Sequence, residues 1–160
     1  MAGNEDESRE TYVATEEENK ALVRRAYLDG MNARDMEIID EVFSPEYVSH
    51  FPGQPPTRGI EPLKETLGSF FEAFPDIVFT VEDQVAEGDK VVTRWSAQGT
   101  HQGEWRGFPP RANGLPPTGR HVTLGATDIY LIADGKILEE WNTLEQLAVL
   151  GQIGAVPEHE

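Results

Sequence analysis

The apolar residues change their spacing at Pro75. Before it, Leu63, Leu67, Phe70, Phe71 and Phe74 fall on one stripe of a helix that starts near Gly59. After it, Ile77, Phe79 and Val81 alternate with Val78, Thr80 and Glu82, the period of a strand with one buried face. Proline sets the boundary because it disfavours a helical residue before it. A chain that switches period once puts its helices and strands in separate blocks, which favours an α+β fold over alternating βαβ units.

The remaining segments fit that division. Thr15 followed by Glu16, Glu17 and Glu18 predicts a capped helix over about 16 to 32, with Leu22, Val23, Ala26 and Tyr27 on one side and Gly30 and Asn32 at its end. Residues 35–43 predict a short second helix, 46–51 an extended segment, and 52–59 a Pro/Gly loop. Beyond Pro75, "AEGDK" (86–90) predicts a hairpin turn and 91–105 a long strand. Residues 107–119 hold four prolines and three glycines, so no regular structure is expected there. Strands over 120–132 and 136–142 and a helix over 144–152 follow. The expected architecture is a curved antiparallel sheet wrapped over the N-terminal helices around a pocket. It forms one domain over 15–154, between a disordered acidic tail (1–14) and a short tail (155–160).

Composition limits what such a domain does. The chain of 160 residues has no cysteine, which removes disulfides, thiol catalysis and thiolate metal sites. Net charge is -16, so a phosphate backbone is repelled and nucleic acid is not an expected partner. No run approaches the roughly 20 apolar residues of a membrane span, and the acidic start lacks the apolar core of a secretory signal. A cytoplasmic location is the expectation. The basic residues are nine Arg and only four Lys. A carboxylate-rich, lysine-poor surface suits high salt.

The chemistry is expected in "ATDIYLIADGKILEEWN" (126–142), two strands joined at Asp134–Gly135. With a two-residue turn, 132 faces 137, 130 faces 139 and 128 faces 141. One face then carries Asp128, Tyr130, Glu139 and Trp141, with the Trp141 indole opposite Asp128. Two carboxyls beside aromatic groups raise at least one pKa, as a general acid or base needs. A slip of one residue would bring Asp128 to face Glu140 instead.

"FPDIVFTVEDQVAEGDKVVTRWSAQGTHQGEWRG", "GLPPTGRHV" and "DGKILEEWNTLEQLAVLGQIG" together resemble the SnoaL-like polyketide or ester cyclases of the nuclear-transport-factor-2-like superfamily. The resemblance runs from about 18 to 154. It implies a cone-shaped α+β barrel around a deep pocket, homodimers, and ring closure by an intramolecular aldol reaction. Such a reaction needs no metal or cofactor, and a catalytic aspartate takes the proton beside a carbonyl. The positions near the last strand where that aspartate is sought hold Asn142 and Glu145, which leaves Asp128 as the acid–base candidate. The family's short "G-PPTGR" turn looks extended by about seven residues within 107–120.

His50 and His101 match positions where the family often has histidine, and either could polarise a substrate carbonyl. Trp141, Asn142, Tyr130 and Trp95 are the expected binding residues. Arg94 is expected in an ion pair. His50, His101 and His121 lack paired ligand spacing, so no metal site is expected. The first reading is an acid–base enzyme on a small apolar carbonyl compound, with Asp128 as base, Glu139 perturbing it and His101 or His50 on the carbonyl. The alternatives are a ligand-binding domain without chemistry, and a hydratase or hydrolase that activates water.

Overall fold

The computed structural model describes residues 14–107, 110 and 112–156. The expected tails over 1–14 and 155–160 fall almost wholly outside them. Among the described residues four helices and six strands occur, and two of the strands interrupt the helical block that the single change of period predicts. Among the described residues no helix is long and apolar enough to cross a membrane.

Helix α1 (Glu16–Arg25) opens on the expected capping box. The Glu18 amide donates to Thr15 Oγ1 at 3.2 Å, and the Thr15 amide donates to Glu18 Oε2 at 2.8 Å. The helix continues as a wider π-helical segment, Ala26–Asn32, which buries Tyr27 and Met31. Helix α2 (Met36–Val42) turns back against it. Gly30 permits that approach: a Cβ there would lie 2.7 Å from Ile39 Cδ1. Arg34 holds the turn between them at a φ of 60°. Its guanidinium donates to the Met31 and Ile77 carbonyls at 2.8 and 2.9 Å and lies 4.0 Å over the Phe71 ring.

Strand β1 (Phe43–His50) follows α2 without a loop, so it is longer than the extended segment expected at 46–51. After the two-residue β2 (Thr57–Arg58), helix α3 (Ile60–Ala73) carries the apolar stripe. Strands β3 (Val78–Glu87), β4 (Lys90–Thr100), β5 (His121–Ala133) and β6 (Lys136–Leu144) form the meander, and α4 (Gln146–Gln152) closes it. The sheet order is β2-β1-β6-β5-β4-β3. Its two outer strands do not meet, so the curved sheet wraps the helices as an open cone and is not a closed barrel. The four strands of the meander pair antiparallel as expected, and β1 adds to them by running parallel to β6. The crossover through the chain's middle brings β1 back beside the last strand.

β4 ends at Thr100, short of the expected 105. The Gln102 and Gly103 amides turn away to donate to the Ala73 carbonyl at 2.9 and 3.1 Å. Only glycine fits at 103, where a Cβ would stand 2.0 Å from the Glu72 carbonyl oxygen. Trp105 and Leu115 then clasp the irregular segment through one antiparallel bridge. The core lies between the concave sheet face and the helices. Val91, Trp95, Leu124, Tyr130 and Ile137 meet Val23, Tyr27, Ile39, Phe70 and Phe74 there.

Candidate functional site

The β5–β6 hairpin decides which acids face the core. Asp134 and Gly135 have φ of 51° and 70°, the two left-handed residues of a tight hairpin turn. Ala133 pairs with Lys136 and Ile132 with Ile137, as expected. The register then shifts: Leu131 pairs with Glu139, Tyr130 with Glu140, Ile129 with Trp141, and Asp128 with Asn142. Leu138 is the extra residue of a bulge. The regular register is thereby corrected. Glu140 and Asn142 point inward, at 7% and 4% exposure, while Glu139 and Trp141 point out of the core.

Asp128, 1% exposed, sits at the centre of a ring of donors. Its Oδ2 accepts from Trp95 Nε1 at 2.6 Å and from the Tyr27 and Tyr130 hydroxyls, each at 3.1 Å. Its Oδ1 accepts from Asn142 Nδ2 at 2.8 Å and from the Thr143 amide at 3.4 Å. Each donor has a local reason to be there. Tyr130 lies two residues along the same strand face, and Asn142 is the cross-strand partner. Trp95 comes from β4, two residues along the same face from Thr93, which pairs with Asp128. Tyr27 is presented by the π-helical segment. The Tyr27 and Tyr130 hydroxyls are 2.5 Å apart. Two hydroxyl protons thus serve three contacts, and the triangle has room for one more.

Glu140 has a different environment. The Tyr47 hydroxyl, from β1, donates to its Oε2. Burial and the neighbouring Asp128 carboxylate push the Glu140 carboxyl up to about 8, against the Tyr47 hydrogen bond. Burial also raises Asp128, opposed by its hydrogen bonds from Trp95, Tyr27 and Tyr130. Of the two carboxyls, Asp128 has the richer set of donors to a negative charge. Asn142 Oδ1 is buried with no hydrogen-bond partner among the described residues, and Asn142 lines the same site.

These groups line a cavity of about 40 Å³ whose other wall is apolar, built from Met31, Phe43, Phe51, Leu63, Leu67 and Phe70. That volume holds a few atoms, so a larger ligand enters only by displacing the apolar wall.

The structure brings Asp128, Tyr130, Trp95 and Asn142 of the expected site together and separates the rest. His50 Nε2 meets Glu139 Oε1 at 2.7 Å, and its ring stacks on Trp141 with 5.3 Å between centroids and 4° between planes. This cluster lies on the outer sheet face, so Trp95 makes the indole contact expected of Trp141. His101 is buried at the far end of β4, bonded through Nδ1 to Thr118 Oγ1 at 3.0 Å and packed on Phe74. Burial lowers its pKa; it does not line the Asp128 cavity. Glu145 lies exposed before α4. Arg94 pairs with Asp83 at 2.6 Å. Among the described residues no group of three or more His, Asp or Glu is placed to hold a metal.

Three residues of the site were not among those expected: Tyr27, Tyr47 and Glu140. Tyr27 belongs to an apolar helical stripe, and its hydroxyl partner Asp128 is 101 residues away in sequence. Tyr47 is 93 residues from Glu140. The bulge hid Glu140.

The SnoaL-like polyketide cyclase family matches the chain over residues 21–153. The chain belongs to that family. Among solved SnoaL-like structures, a candidate polyketide cyclase from Jannaschia sp. CCS1 is 28% identical with a TM-score of 0.78, over 89% of this chain and 95% of that one. AclR, a candidate hydroxylase from Streptomyces galilaeus, is 27% identical with a TM-score of 0.78, over 91% and 87%. IdmH, a candidate polyketide cyclase from Streptomyces antibioticus, is 31% identical with a TM-score of 0.72, over 85% and 98%. No curated protein matches the chain.

Proposed function

We propose that this SnoaL-like protein is an acid–base enzyme that forms and uses an enolate, by aldol cyclisation or isomerisation of a small apolar carbonyl compound. One observation carries the reading. Two carboxyls share a buried cavity in unequal surroundings: Asp128 accepts from Trp95, Tyr27, Tyr130 and Asn142, whereas Glu140 accepts from Tyr47 and is raised to about 8.

In this reading the Asp128 carboxylate takes the proton from the carbon beside the carbonyl. That proton is the third one for the triangle of Asp128, Tyr27 and Tyr130. The protonated Glu140 donates to the carbonyl oxygen, where negative charge gathers as the carbon–hydrogen bond breaks. The enolate carbon then attacks a second carbonyl of the same molecule, or takes a proton at another carbon. Asp128 is returned to its charged form by giving its proton to the new alkoxide or to carbon. Asn142 Oδ1, an acceptor without a partner, would orient a substrate O–H. The apolar wall recognises the hydrocarbon part and keeps water from the enolate.

The test is hydrogen–deuterium exchange at the carbon beside the carbonyl, followed by NMR over a panel of cyclic and aromatic ketones. General acid–base groups contribute about 10²- to 10⁴-fold, and Asp128→Asn should lose that much with its melting temperature retained. Glu140→Gln should lose less and remove the alkaline limb near pH 8. Unchanged exchange in Asp128→Asn would overturn the reading. A ketone that binds without exchanging any hydrogen would support the alternative, a binding domain without chemistry. The 40 Å³ size of the cavity favours that alternative.

A further inference from the structure

A second concavity lies between Trp105, Arg106, Gly107, Asn113 and Leu115 on one side and helix α4 on the other. Its volume is about 260 Å³, close to the lower bound of about 300 Å³ for small-molecule pockets. None of the residues lining it lines the Asp128 cavity.

Its chemistry is uneven in an informative way. Trp105 lines it, is 2% exposed, and its indole N–H has no partner among the described residues. A buried donor left unsatisfied is destabilising, and a ligand acceptor would relieve it. Beside it, Arg106 makes one loose ion pair among the described residues, 4.0 Å from Glu72 Oε2. Glu72 is mostly exposed, and pairs of that kind contribute little. Leu115 and Leu150 supply an apolar wall, and Asn113 and Gln146 also line the groove.

We propose that this groove binds a small organic carboxylate carrying an apolar group. The guanidinium fork of Arg106 matches a planar carboxylate through two parallel hydrogen bonds. The Trp105 N–H supplies a further donor, and the hydrocarbon part lies on Leu115 and Leu150. An inorganic anion would leave that wall unused. The bound ligand touches both the Trp105–Leu115 bridge and α4. The inference stands apart from the acid–base reading and survives its failure.

The test uses ¹⁵N-labelled protein and its three tryptophan indole cross-peaks, assigned through Trp95→Phe and Trp141→Phe. Benzoate is the probe, with benzamide and inorganic phosphate as comparisons. The expected result is a saturable shift of the Trp105 indole peak with benzoate, none with benzamide, and a weaker response to phosphate. Arg106→Gln should weaken benzoate binding at least about tenfold, the effect of a lost charge-assisted pair. A Trp105 peak that stays still at about 20 mM benzoate would overturn the proposal. So would undiminished binding in Arg106→Gln, or a shift confined to Trp95, which would place benzoate in the Asp128 cavity.

Discussion

At the scale of single residues, the Asp128–Glu140 pair couples function to stability, and the sign is fixed. Glu140 is raised to about 8 in the folded protein, against an ordinary glutamate value of about 4.3 in the unfolded chain. Between those values the folded state binds more protons than the unfolded state. Stability therefore falls as pH rises from about 4.3 to about 8, and is fully lowered above that. Asp128, also raised, acts in the same direction. Urea midpoints at pH 6 and pH 8.5 should show the lower value at pH 8.5, and Glu140→Gln should narrow the gap. Equal midpoints in the wild type would mean that Glu140 is ionised throughout. Tyr47→Phe removes a hydrogen bond that lowers Glu140, so the alkaline limb of activity should move to higher pH.

At the scale of elements, legibility follows the range of the forces involved. The period switch at Pro75, the Thr15 capping box and the Asp134–Gly135 turn are local, and each reads directly from neighbouring residues. The bulge at Leu138 is not local. Nothing in "KILEEWN" marks one residue as extra, since Glu139 and Glu140 are identical and either suits water. The choice is made by Tyr47 and by β1 running parallel alongside, and both come from far away in the chain. Asp128 was legible as an acid of the hairpin; its ring of donors was not. Deleting Leu138 tests the bulge. The remaining residues would keep Glu140 and Asn142 inward, so the fall of stability between pH 6 and 8.5 should persist. In an unbulged strand the same deletion would turn Glu140 outward and abolish that dependence.

At the scale of the whole molecule, the net charge of -16 sets the response to salt. Self-repulsion weakens as the screening length falls from about 10 Å at 0.1 M to about 3 Å at 1 M salt. The melting temperature should rise by several degrees from low to molar KCl, as read by scanning calorimetry. A flat response would show that the acids are spaced too widely to repel. The open cone gives salt a second target. Among the described residues no strand pairs with the outer edge of β3, ten residues long, and only at Phe79 does a side-chain amide, that of Asn32, bond its backbone N–H and C=O, at 2.8 and 2.9 Å. β3 exposes Val78 and Val85, interrupted by the exposed acids Glu82, Asp83 and Glu87. Charge on an edge strand keeps it from pairing with another edge. Screening that steadies the fold therefore also lowers the barrier between two such edges, and the salt concentration that gives the highest melting temperature will exceed the one that gives the highest solubility.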